Sequence, residues 1–395
     1  MANFSTIPFT GGVISSGPRD LSWIEISPSK IALIYTATFN GTTRQVFIQM
    51  VTFGGSAAPV YGTPCSLGTI NNLTANTFMR GAYLRDNLLV MTIPAGSYVG
   101  PGTVVPNSYT YNVVAFDAQD RFNLVSTSAA ITATTNTAWP SHEMTSYNSK
   151  VYSIRRPTDS TYIFAEIVVD GANAITVTPK TTFSMVSTGV QQATAYSQRA
   201  GNIWLYQANA HGTVNTANSF AFIDLSTLTT NTVPSTSMSQ SSQAGSLGRS
   251  RIPTPAGGAI LDMVTSSTSF ARYNLDGSQA MTASYRSAFT GGMMDVMWLD
   301  TQHFIMLNTS ATTTTLDRDS AVTNGALSVQ VCRYDQTTNT MTISGAPKLL
   351  GTTAPRENFG NLLHKIDESN IAVIGAYQFS TPSTHAGYGV QVLSI

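Results

Sequence analysis

The side chains able to do chemistry here are few, and their spacing selects little of it. The chain holds 5 histidines, 2 cysteines, 20 basic and 20 acidic residues. His142, His211, His303, His364 and His385 are scattered, without the short intervals of a metal site. Asp317-Arg318-Asp319 lacks the spaced oxygen ligands and the glycine of a calcium loop. Gly11-Gly12 leads into a strand pattern rather than a helix, so it is no phosphate cradle. We therefore expect neither metal nor cofactor. Glu143 and Asp295 are the carboxylates that a glycoside-cleaving pair would use, since that reaction needs two of them flanking one bond. Arg80, Arg199, Arg249 and Arg251 offer forked donors for a carboxylate or an acidic surface. Tyr98 and Tyr388 are candidate stacking platforms for a sugar.

Positioning such residues requires a scaffold, and composition indicates which kind. Charged residues make up only 10% of the 395, against roughly 25% in an ordinary soluble protein. Lys and Glu, the good charged helix formers, are scarcer than Arg and Asp, while Ser and Thr together supply about a quarter of the chain. An all-β body follows. A net charge of zero argues against a nucleic-acid binder, which needs a concentrated basic surface. No apolar run reaches the eighteen or so residues of a membrane span, and Met1 to Thr10 lack the pattern of a signal peptide. Cys65 and Cys332 are too far apart in sequence to suggest a disulfide framework, and we expect two separate packed thiols.

A short apolar strand recurs as Lys30 to Ala37, Asn87 to Ile93, Lys150 to Ile154, Asn202 to Gln207, Gly258 to Val264, His303 to Asn308 and Asn370 to Tyr377. These seven copies lie about 56 residues apart. Each is followed by a second strand, and five of those end in Asp117, Asp170, Asp224, Asp276 or Asp335. Aspartate suits that spot because its carboxylate accepts backbone N–H bonds from the following residues and tightens a hairpin. Four-stranded units repeated at this interval predict a seven-bladed β-propeller, residues 1–395 forming one domain. The seventh copy has no sequence left for an outermost strand, whereas Asn3 to Phe9 is one to spare. The N-terminal strand is thus expected to close the last blade and protect its edge.

On this scaffold the loops between second and third strands share a face with the connections that enter each blade. The longest are Pro94 to Ser108, Asn209 to Asn218, Ser310 to Leu327 and Phe379 to Tyr388, and long loops on a rigid frame commonly carry recognition. Arg80, Glu143, Arg199, Arg249, Arg251 and Asp295 fall near blade entries, hence near the mouth of the central channel. Their ordinary alternative role is to tie neighbouring blades together, because crowded charges normally find partners.

The low charge, the abundance of Thr, Ser, Asn and Gly, and the all-β repeats resemble bacteriophage virion proteins in style, over the whole chain and without a specific motif. The resemblance implies a non-enzymatic structural and recognition protein of a bacteriophage particle, associated with tail, fibre or capsid and made in the host cytoplasm. Its partners would be other virion proteins and host surface glycan, within a symmetric assembly. The alternative is a glycan-binding or glycoside-cleaving cellular β-propeller, because fold alone does not choose function.

Overall fold

The computed structural model describes residues 3–6, 21–39, 43–70, 79–100, 103–132, 142–157, 161–184, 192–211, 219–233, 249–264 except 256, 269–284 except 277, 293–309, 327–349, 355–356, 362–378 and 386–395. Among them every regular element is a strand, and the strands form seven antiparallel sheets. The first sheet runs Ser22–Ser27, Lys30–Phe39, Thr43–Thr52, with Val60–Tyr61 and Cys65–Ile70 sharing its outer edge. Later sheets repeat the meander, beginning at Gly81–Arg85, His142–Tyr147, Gln192–Ala200, Arg249–Pro253 and Met293–Trp298. These first strands touch one another in succession, which places them innermost. The seventh sheet has Pro355–Arg356 and Leu363–Lys365 on its inner side, then Asn370–Gln378 and Ala386–Ser394. Asn3–Thr6 lies antiparallel against the last of these, Asn3 opposite Val392 and Thr6 opposite Gly389. The protein is a seven-bladed β-propeller.

Alternation along the second strands explains why they read as nearly unbroken apolar runs. In Lys30–Phe39 the residues Ile31, Leu33 and Tyr35 pack with Ala372, Ile374 and Val390 of blade seven, while Ala32 and Ile34 pack with Leu89, Met91 and Val114 of blade two. Successive side chains point to opposite faces, and both faces are covered. All seven core clusters have this character: each is shared by two adjacent blades, and together they go once round the ring. Each fully buried aliphatic side chain contributes about 1.5–3 kcal/mol.

The aspartate turns form as anticipated. Asp117 Oδ1 accepts from the N–H of Gln119 and Arg121, Asp170 Oδ1 from Ala172 and Ala174, and Asp335 Oδ1 from Thr337 and Thr338. Asp224 and Asp276 likewise accept from the N–H of Ser226 and Ser278, both at 2.8 Å. Asp300 and Asp367 do the same at first-to-second strand turns. All of these lie on the face opposite the blade entries, called here the turn face. Cys65 and Cys332 are free thiols, and burial pushes Cys332 up to about 12.

Gly81 marks the tightest contact between inner strands. A Cβ there would stand 2.3 Å from Ile24 Cδ1 and 3.0 Å from Met91 Cβ, and Ile24 is itself buried. Gly81→Ala should therefore cost about 1–3 kcal/mol through overpacking. Denaturant unfolding checks this, and an unchanged midpoint would mean that Ile24 turns aside freely.

Candidate functional site

The inner strands of blades one to four line a half-open cavity of about 230 Å³ in the central channel, running from the entry face towards the turn face. At its entry end Arg80, just before the blade-two inner strand, donates from Nε to Glu143 Oε1 at 2.9 Å. Both side chains are buried. Arg80 also donates to the Met79 carbonyl, and Ser197 Oγ donates to Glu143 Oε2 at 2.8 Å. A single carboxylate thus ties blades two, three and four. A buried charge is tolerated when it is paired and hydrogen-bonded in this way.

Asp295 plays the corresponding part at the junction of blades six and seven. Its Oδ2 accepts from the Leu362 N–H at 2.5 Å and the Leu363 N–H at 2.9 Å, and its Oδ1 from the Val296 N–H at 2.8 Å. Gln198 of blade four donates to the Val296 carbonyl at 2.6 Å, linking two blades that are not neighbours in sequence. Lys365 Nζ donates to the Leu299 carbonyl, and Trp298 Nε1 to the Pro253 carbonyl at 2.8 Å. His364 Nε2 meets the Pro28 carbonyl at 2.9 Å, with Trp23 edge-on at 5.2 Å between ring centroids.

Arg80 and Glu143 come together as a tie between blades, the ordinary alternative to a binding role, and Asp295 stands apart as another tie. Arg199 lies elsewhere than expected. It is the penultimate residue of Gln192–Ala200, so it sits at the turn-face end and donates to the Gly201 carbonyl at 2.7 Å. The inner strand of blade four begins several residues before Arg199, which carries this side chain past the entry. Arg249 and Arg251 are the first and third residues of their inner strand, at the entry end. Tyr98 stands on a strand, not a loop: Leu88–Gly100 and Thr103–Phe116 pair as far as Gly100 opposite Thr103. The β-branched residues of Thr103-Val104-Val105 favour that extended pairing over a loop. Tyr388 is also on a strand, opposite Ala376. The remaining expected loop segments, 212–218, 310–326 and 379–385, lie outside the described residues.

The sequence reading missed Glu25. It lies on the innermost strand of blade one, exposed to the channel, and lines the same cavity as Arg199. Its signal was a lone acid within the apolar Trp23-Ile24-Glu25-Ile26 run. Arg199 is open to channel water but surrounded by protein, so desolvation lowers its affinity for a proton, opposed by the charge of Glu25. Among the described residues no cluster of His, Cys, Asp or Glu has the form of a metal site, and no helix is long and apolar enough to cross a membrane.

Two sets of titrating groups set the acid stability. Burial pushes His364 below its ordinary value, against the opposing influence of Glu25 and the Pro28 carbonyl. The unfolded chain then binds the extra proton first, so this contribution is complete above pH ~6.5 and is lost as pH falls toward the lowered folded value. Asp117 is lowered by the Arg121 side chain and N–H, Asp276 by the Ser278 hydroxyl and N–H, and Asp335 by the N–H groups of Thr338 and Thr337. Their contribution is present above pH ~3.9 and is lost as pH falls through their folded values. The denaturation midpoint plotted against pH should descend in two steps, the upper one absent in His364→Gln. A flat profile from pH 7 to 5 would contradict the assignment to His364.

A closed ring of seven β-sheets around a polar, charge-lined channel defines the class: a seven-bladed β-propeller. Neither a protein-family model nor a curated protein sequence matches the chain. Solved structures do share the fold. A putative 6-phosphogluconolactonase from Bacteroides uniformis has TM-score 0.51 at 11% identity, over 93% of this chain and 100% of that one. The S. cerevisiae core factor has TM-score 0.52 at 9% identity, over 99% of this chain and 60% of that one. The phage phi92 endosialidase is similar at TM-score 0.49 and 8% identity, over 100% of this chain and 69% of that one, a likeness too distant to bear on function.

Proposed function

We propose that this protein is a non-enzymatic structural and recognition component of a bacteriophage particle, docked to other virion proteins and presenting its entry face to a partner such as host surface glycan. The observation that carries the non-enzymatic half is the commitment of both entry carboxylates. Glu143 is held by Arg80 and Ser197, and Asp295 by three backbone N–H groups. A general acid or nucleophile must instead face the scissile bond. The low charge and the Ser and Thr content of the chain support the particle half. Many copies in a symmetric assembly would let weak single contacts hold by avidity.

The test is sedimentation of the native protein from infected cells through a density gradient, alongside assays for glycoside cleavage. Co-migration with assembled particles and no turnover are expected. Recovery only in the soluble fraction would overturn the particle reading, and measured turnover would overturn the non-enzymatic one. Replacing 310–326 by a short Gly-Ser turn should leave the fold intact and weaken attachment or adsorption.

A further inference from the structure

The Glu25 and Arg199 side chains line one half-open cavity, yet no direct ion pair joins them. The Glu25 carboxylate has no hydrogen-bond partner among the described residues, and the Arg199 guanidinium makes one bond, through a terminal nitrogen, to the Gly201 carbonyl. The charge of Glu25 reaches the Arg199 guanidinium and favours its protonated form. At the entry end of the same cavity, Arg80 and Glu143 already neutralise each other. The charge left over is therefore one cation and one anion, unpaired with each other, lining the same cavity of about 230 Å³. A cavity of about 150 Å³ already holds benzene, so there is room for a molecule of ten or so heavy atoms.

We propose that this end of the channel is a binding site for a small zwitterion, a molecule carrying a carboxylate and an ammonium group, with the carboxylate on Arg199 and the ammonium on Glu25. A simple anion would gain at Arg199 and lose at Glu25, and a simple cation the reverse; only a ligand with both charges matches both walls. The guanidinium presents donors suited to a carboxylate. Ser22, Ser146 and Tyr83 line the cavity and supply neutral hydrogen-bonding groups around the body of the ligand. The site stands apart from the particle reading, because the cavity is complete within one chain.

The test is calorimetric titration of the full chain at pH 7 and low salt with glycine, β-alanine, 4-aminobutyrate and 6-aminohexanoate, a ladder that measures the gap between the two charges. One or two adjacent rungs should bind. Their N-acetyl and methyl-ester forms should bind about tenfold more weakly or worse, as should the free forms to Arg199→Met and Glu25→Gln. Glu25→Asp, which keeps the charge on a shorter stem, should shift the preference to a longer rung, and this holds as a test even if a neutralised variant folds poorly. Absence of binding by every rung, equal binding of the blocked forms, or unchanged affinity and length preference in the variants would each overturn the proposal.

Discussion

Replacing Asp295 by alanine should lower the unfolding free energy by about 3–5 kcal/mol, the largest effect expected of a single substitution here. The side chain is 1% exposed, and its two oxygens satisfy N–H groups of Val296, Leu362 and Leu363. Alanine leaves these donors inside the seam between blades six and seven, where each unsatisfied one costs about 1–3 kcal/mol. Asp295→Asn should recover part of the loss, since its single carbonyl oxygen can still accept while its NH2 group faces donors. Urea unfolding of the three proteins measures this directly. A loss below about 1 kcal/mol for the alanine variant would mean that water replaces the carboxylate.

Deleting residues 1–10 should have a comparable effect through the backbone. Asn3–Thr6 pairs with Ala386–Ser394, and removing it forfeits about four inter-strand hydrogen bonds at ~1 kcal/mol each. That corresponds to a fall of roughly 5 °C in melting temperature for a chain of this length. The deletion also bares the edge of Ala386–Ser394, an open template for pairing with another copy, so light scattering should rise on heating. A truncated protein that melts within about two degrees of the full chain would show that blade seven holds without this strand.

What was legible in the sequence follows from where burial is two-sided. Lys30–Phe39, Asn370–Gln378 and their counterparts are covered on both faces, so their composition alone betrays them. The turn aspartates were legible because their bonds are local, reaching two to four residues ahead. The ties at the entry face span greater distances: Arg80 to Glu143, Ser197 to Glu143, Asp295 to Leu362. Sequence could supply the members of such sets but not the pairing. Arg199 was misplaced for a related reason, because an inner strand open to the channel carries mixed residues and hides its own start. Glu25 was hidden by its surroundings, a single acid among the apolar Trp23, Ile24 and Ile26.

The sharing of every core cluster between two blades has a consequence for the chain as it is made. Blades one to six can condense in the order they are synthesised, each offering the next a half-built wall, through contacts of modest sequence separation. The last cluster differs: it joins Leu21, Ile31 and Leu33 of the first blade to Val390 and Val392 of the seventh, more than 350 positions later. Until translation delivers those valines, blade one presents bare aliphatic surface that nothing nearby can cover. Contacts so remote form slowly, and exposed surface of this kind invites association with other nascent chains. The nascent protein is thus an open arc with two sticky ends, and the interval before those ends meet is when it most needs chaperone shelter.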